Sequence, residues 1–263
     1  MEIYNFFSGS SGNCTFIKTE SSNLLIDCGK SKKQVELAMK DIGVCGSEID
    51  GILITHEHSD HIAGLANLSN AYNIPIYVHE MGAQAVIQKG KADADLIHTF
   101  NKTFCIKDVE VKYIKCSHDA AYCCAYRLDD GFSSFASVTD TGVMPTLFNS
   151  FIKNTQLLLL ESNYDLNMLR NGLYPHYLKE RIESNLGHLS NFQAADVIKQ
   201  MIELSVKSVW LGHLSENNNS VELAYKTTKD SLAKIGAIIG KDIEINVIEH
   251  GKGAQANVRK RAI

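Results

Sequence analysis

The segment Gly51-Ile52-Leu53-Ile54-Thr55-His56-Glu57-His58-Ser59-Asp60-His61 constrains this chain more than any other. An apolar run of the buried-strand type ends in three imidazoles and an aspartate, directly before a helical pattern. Imidazoles spaced i, i+2 leave a strand end on the same side, and the following turn brings Asp60 and His61 round to the same cavity. Imidazole and carboxylate donors without thiolate suit Zn²⁺, Mn²⁺ or Fe, and argue against a structural zinc knuckle. One such cluster cannot fill two metal sites, so the fold has to deliver further ligands from later strands.

Three residues stand where that requires. His118 ends an expected strand Val109–Lys115, Asp140 ends Phe132–Thr139, and His213 ends Val206–Leu211. Ligands at the ends of separate strands converge on one edge of a sheet pair. The remaining pattern agrees. Short runs Ile3–Phe7, Cys14–Lys18 and Leu24–Asp27, separated by Gly-, Ser- and Asn-rich turns, predict an antiparallel meander. Helices are expected over Lys32–Ile42, Ile62–Tyr72, Gly82–Lys89 and Val221–Ala233. Ser190 with Gln193 forms a capping-box pattern opening a helix through Leu204. Further strands are expected at Ile76–Val78, Tyr122–Leu128 and Gln156–Leu160, with Ile243–Ile248 as the last. Strands in both halves, each with attendant helices, predict an α/β fold, a four-layer αββα sandwich. It is expected to form one domain over 1–250, followed by a loose basic C-terminal tail at 251–263.

Composition excludes several alternatives. The 263 residues carry 26 Lys+Arg against 30 Asp+Glu, a formal charge of −4, so no wholesale basic surface grips nucleic acid. No apolar run long enough for a membrane span appears, and the N-terminal stretch lacks a signal-peptide pattern. The 7 cysteines form no C-x-x-C pair and read as reduced thiols, which together predict a cytoplasmic protein with no membrane partner.

The ligand order H-x-H-x-D-H, then His, Asp and His, resembles that of the metallo-β-lactamase superfamily, over nearly the whole chain. The resemblance implies two divalent ions, Zn²⁺ or Mn²⁺ first and Fe as an alternative. His56, His58 and His118 would hold one; Asp60, His61 and His213 would hold the other; Asp140 would bridge them. A hydroxide between the cations would be the nucleophile, with Asp60 orienting it. The residue at Asp140 sets the chain apart from drug-hydrolysing lactamases, and the Asp140–His213 interval is too short for the inserted domain of β-CASP nucleases.

Glu161-Ser162-Asn163-Tyr164-Asp165 and Gly187-His188-Leu189-Ser190 are similar to segments of tRNase Z-like phosphodiesterases. By that likeness His188 faces the scissile phosphate and Glu161 orients it. The chain has only 3 prolines and no evident arm for gripping tRNA. Together with Ser8–Asn13 and Leu211–Asn218, these segments look like the hallmarks of the bacterial WalJ/YycJ-type group of the superfamily. That likeness implies a metal-dependent 5′-to-3′ DNA exonuclease with links to mismatch repair and to a two-component signalling system. Two other readings use the same metals: a hydrolase of small thioesters or lactones, and a metal-binding regulatory partner of that signalling system.

Softer features complete the reading. Ser11 and Asn13, in a turn that exposes backbone N–H groups, are candidate donors to a substrate phosphate. Asn217, Asn218 and Asn219 read as a solvated loop, and the basic residues Lys252, Arg259, Lys260 and Arg261 as a solvated terminus.

Overall fold

The computed structural model describes residues 1–249 and 252–258. Its first half runs β1 (Glu2–Phe7), β2 (Cys14–Lys18), β3 (Asn23–Ile26), α1 (Lys32–Asp41), β4 (Gly51–Leu53), α2 (Ser59–Ile62), α3 (Leu65–Tyr72), β5 (Ile76–His79), α4 (Glu80–Gly90) and β6 (Ile97–Phe100). The second half runs β7 (Phe104–Ile106), β8 (Val109–Lys115), β9 (Cys124–Asp129), β10 (Ser134–Val138), α5 (Phe148–Ile152), β11 (Leu157–Glu161), α6 (Leu166–Asn171), α7 (His176–Glu183), α8 (Asn191–Met201), β12 (Ser208–Gly212), α9 (Val221–Ala233), β13 (Glu244–Val247) and β14 (Ala254–Asn257).

The strands form two seven-stranded mixed sheets, ordered β14-β1-β2-β3-β4-β5-β6 and β13-β12-β11-β10-β9-β8-β7. In each sheet an antiparallel meander turns into a parallel half, where helical crossovers connect neighbouring strands. Side-chain alternation sorts the layers. On β11, Leu157 and Leu159 point into the core between the sheets, with Ile17, Leu53, Tyr126 and Trp210. Leu158 and Leu160 point the other way, against Ala194 and Ile198 of α8 and Leu232 of α9. A third cluster packs Val35 and Met39 of α1, Leu65 and Leu68 of α3 and Val86 of α4 onto the first sheet. Each leucine so buried stabilises the fold by about 1.5–3 kcal/mol. The αββα sandwich follows from strands that are apolar on both faces.

Four expectations are corrected. Residues 254–257 are not loose: β14 pairs antiparallel with β1, and Val258 N–H donates to Met1 C=O at 2.9 Å. It covers an edge that β1 would otherwise leave unpaired; Arg259, Lys260 and Arg261 lie outside the described residues. The single helix expected over Ile62–Tyr72 is broken into α2 and α3, because Gly64 N–H donates to Cys28 C=O instead of continuing the helix. A Cβ at Gly64 would lie 2.0 Å from the Lys30 carbonyl oxygen, so only glycine allows this approach. Asn218 and Asn219 are buried, with the Asn219 amide donating to Ser162 C=O, Asn163 C=O and Asn191 Oδ1. The cysteines, given no role from the sequence, are expected to be buried and inert; Cys116 is buried, but Cys45 and Cys105 are exposed.

Candidate metal centre

His56 and His58 leave β4 and enter α2, which carries Asp60 and His61, while His118, Asp140 and His213 follow β8, β10 and β12. Glu161 is the last residue of β11, and His188 precedes α8. These nine side chains fall into overlapping groups whose ligating atoms lie within 4.8 Å of one another: His56 with His58 and His118; His56 with His61 and Asp140; Asp60 with His61 and His213; Asp140 with Glu161, His188 and His213. Backbone turns at the strand ends aim them. Asp27, Asp140 and His213 sit at φ +60°, +58° and +55°, a left-handed conformation that non-glycine residues adopt only where their surroundings hold them.

The imidazoles share one design. His61 Nδ1 lies 2.8 Å from Asp27 Oδ2, and His213 Nδ1 2.9 Å from Glu161 Oε2. His188 Nδ1 lies 3.0 Å from the same oxygen, His118 Nδ1 3.1 Å from Gly187 C=O, and His56 Nδ1 3.0 Å from Thr55 Oγ1. In each, Nδ1 is tied by its neighbour, and Nε2 is the other ring nitrogen. His58 is reversed, with its Nε2 3.2 Å from Asp119 C=O. Tying one ring nitrogen to a carboxylate or carbonyl fixes the tautomer and orientation that a metal-ligating histidine needs.

Toward the pocket, His61 Nε2 stands 3.4 Å from both Asp60 Oδ2 and Asp140 Oδ2, and His213 Nε2 stands 3.6 Å from Asp140 Oδ1. His56 Nε2, Asp140 Oδ2 and His213 Nε2 are buried and have no hydrogen-bond partner among the described residues. Leaving such atoms bare in the interior is costly, and a divalent cation satisfies nitrogen and carboxylate donors together. The donor set fits the ion.

Charge is distributed to the same end. Burial pushes the His56 imidazole well below its ordinary value, with the neighbouring imidazoles adding to it, so it is neutral and ready to ligate. Burial lowers His118 as well, partly offset by Asp140. At His61 burial also acts downward, but the Asp27 and Asp140 carboxylates outweigh it and raise the group. At His213 burial again acts downward, but the charge of Asp140 and the hydrogen bonds to Asp60 and Glu161 outweigh it, pushing it up to about 10. Burial would raise Asp60 and Glu161, yet hydrogen bonds and charge from His213, His61 and His188 hold both well below the carboxylate range. The acidic half of the pocket therefore gathers protons that a cation can replace.

Several supporting residues carried no sequence signal strong enough to single them out. Asp27 accepts from Thr55 N–H at 2.9 Å and from its hydroxyl, bracing the His61 side. Buried Glu57 accepts from Ala121 N–H at 3.0 Å and pairs with Lys89, pinning the His118 loop to α4. Ser8 Oγ accepts from His213 N–H, and Asn163 donates to His213 C=O. A carboxylate directly after an apolar strand, as in Ile26-Asp27, was the one available hint. Of the two turn residues, Asn13 is buried and its amide reaches Gly9 C=O and His61 Nε2, both at 3.1 Å. Ser11 is exposed and accepts from Lys30 Nζ at the rim.

The metallo-β-lactamase superfamily model matches residues 8–145. The exodeoxyribonuclease WalJ of Streptococcus pneumoniae serotype 2 (strain D39) is 37% identical over 243 residues, 90% of each chain. This chain belongs to the metallo-β-lactamase superfamily. Within it, the exodeoxyribonuclease YycJ of Bacillus anthracis is 36% identical over 242 residues, covering 91% of this chain and 92% of that one. The crystal structure of the metallo-β-lactamase-fold protein YhfI from Bacillus subtilis superposes with a TM-score of 0.72 at 19% identity, over 97% and 98% of the two chains. This superfamily member is a metal-dependent hydrolase, and its His/Asp clusters are able to hold divalent ions. Among the described residues no helix is long and apolar enough to cross a membrane.

Proposed function

We propose that this metallo-β-lactamase-fold protein is a dinuclear phosphodiesterase that degrades DNA from the 5′ end. Chain-long likeness to two proteins named exodeoxyribonuclease supports the substrate class. The observation that carries the chemistry is the His188–Glu161 pair beside the candidate metal cluster. Unlike the buried His61 and His213, the His188 side chain is part-exposed, at 15%, while its partner carboxylate is sealed from solvent.

In this reading His56, His58 and His118 would hold one ion and Asp60, His61 and His213 the other, with Asp140 available to both. Zn²⁺ or Mn²⁺ at such sites activates water and neutralises charge on phosphate. The chain supplies the rest. With Nδ1 committed to Glu161, His188 turns Nε2 to the substrate. Water oxygen adds to phosphorus as the P–O bond to the leaving group breaks; the His188 Nε2 proton passes to the departing oxygen while Glu161 holds Nδ1 of the ring, and the water's own proton leaves to solvent. Asp60 orients the attacking water, and Ser11, beside the Lys30 ammonium, contacts substrate phosphate at the rim. A thiolate leaves without such an acid, so His188 also separates this reading from thioester hydrolysis.

The test uses DNA labelled at either end, with Mn²⁺ or Zn²⁺, against a glutathione thioester. Mononucleotides appearing first from the 5′ end, and a large loss of that activity in His188→Ala, are expected. Thioester turnover without DNA cleavage, insensitive to His188→Ala, overturns the reading.

A further inference from the structure

We propose that Arg181 grips the phosphate next to the scissile one and that Asp119 positions it there; this deepens the nucleic-acid reading above and rests on it. Arg181 lies in the last turn of α7, within the stretch between Glu161 and His188. Its backbone is locked to the candidate centre. His188 N–H donates to Ile182 C=O at 3.0 Å, and the Gly187 carbonyl that follows faces His118 Nδ1. A Cβ at Gly187 would lie 2.3 Å from the Arg181 carbonyl oxygen, and one at Gly142, two residues after Asp140, 2.3 Å from that of Ser184. The end of α7 therefore moves with the His118 and Asp140 loops or not at all.

The side chain is anchored by a single donor. Arg181 Nε donates to Asp119 Oδ2 at 2.5 Å, and Asp119 Oδ1 stands 3.4 Å from His118 Nε2 and 3.9 Å from His58 Nε2. No partner among the described residues takes Nη1 or Nη2, and the side chain is 47% exposed. A guanidinium has five N–H groups, so four remain for a ligand. The hydrogen bond to Asp119 chiefly, with the charges of Asp119 and Asp60, reinforces its positive charge, which places it within electrostatic reach of the cluster.

Two other cations are paired with carboxylates, Arg170 bidentately with Glu183 and Lys89 with Glu57, while Lys30 donates to Ser11 Oγ. In a chain of net charge −4, a half-exposed arginine fixed beside a metal-type cluster is suited to an oligoanion with regularly spaced phosphates. A planar fork takes phosphate oxygens two at a time.

The experiment measures fluorescence anisotropy of a 5′-phosphorylated single-stranded oligonucleotide over a salt series, with Ca²⁺ as a trial non-cleaving ion and metal content recorded. Arg181→Gln is expected to weaken binding about tenfold or more and to lower the salt slope by about 0.7, one phosphate contact on a single strand. Arg181→Lys should keep the slope and recover only part of the affinity, because the charge is retained and the fork is lost. Asp119→Asn should weaken binding with an unchanged slope, as expected of a positioning residue. Wild-type affinity and slope in Arg181→Gln, or wild-type affinity in Arg181→Lys, overturn the proposal while wild-type DNA cleavage leaves the nuclease reading standing. If the wild type neither binds nor cleaves the oligonucleotide, both fall.

Discussion

Replacing Glu161 by glutamine keeps the shape of the side chain and removes one acceptor and one charge. The carboxylate is fully buried. Oε1 accepts from Leu189 N–H at 2.6 Å, while Oε2 accepts from Asp140 N–H at 2.8 Å and faces His213 Nδ1 at 2.9 Å and His188 Nδ1 at 3.0 Å. A glutamine NH₂ turned to the Oε2 side meets three groups at once; turned to Leu189, it meets one N–H. The second orientation sets the NH₂ against the Leu189 N–H, two buried donors without an acceptor, which costs at least about 1–3 kcal/mol. In a chain of this size that is a fall in melting temperature of roughly 2–12 °C. Activity should fall further, because His188 loses the carboxylate that fixes its Nδ1 and aims its ring; about 100-fold or more in kcat on DNA is expected. Metal content has to be read in the same samples, since loss of an outer contact to a ligating histidine weakens metal binding by about 10–100-fold. If Glu161 acts through His188, Glu161→Gln and His188→Ala combined should cost little more than His188→Ala alone. A Glu161→Gln protein with kcat within twofold of wild type and full metal content refutes this reasoning.

Three further outcomes are expected. Asp27→Asn removes the charge that holds His61 Nδ1 at 2.8 Å, so metal affinity should drop about 10–100-fold in a chelator-competition titration; wild-type affinity counts against the bracing role. In metal-free protein, carboxylates raise folded His213 to about 10 from 6.5, so its contribution to stability is full below pH 6.5 and lost as pH rises toward 10. Metal binding displaces that proton, so affinity should climb over the same window; calorimetry at pH 6, 7.5 and 9 should show the gap between loaded and chelated protein widening, and a constant gap contradicts the account. Gly142→Ala drives a Cβ to within 2.3 Å of the Ser184 carbonyl oxygen, backbone against backbone, and should destabilise the protein by about 1–3 kcal/mol in thermal melts; an unchanged melting temperature would mean that this approach is not tight.

The parts of the site legible in the sequence are those with local causes. His56, His58, Asp60 and His61 fall in one turn, and His118, Asp140 and His213 each follow a run read as a strand, so seven positions could be named together. Capping chemistry marked the start of α8, where Ser190 and Gln193 bond reciprocally. What stayed hidden depends on distant partners. α6 and α7 are short helices whose stability comes from the small cluster of Tyr164, Leu169 and Ile182, a contact that no periodicity encodes. Asp27 and Arg181 matter only through His61 and Asp119, far away in the chain. Asn218 and Asn219 have the composition of a solvated loop, and only the waiting carbonyls of Ser162 and Asn163 and the side chain of Asn191 make burying Asn219 affordable.

The central claim is that seven side chains from four strand ends hold two cations. It is tested most directly by counting metal: chelator-stripped protein is reloaded with Mn²⁺ or Zn²⁺, desalted and analysed for bound ion per chain, alongside a His56→Ala/His118→Ala variant. About two ions per wild-type chain and about one in the variant are expected. Fewer than one ion per wild-type chain, or the same count in the variant as in the wild type, contradicts the account.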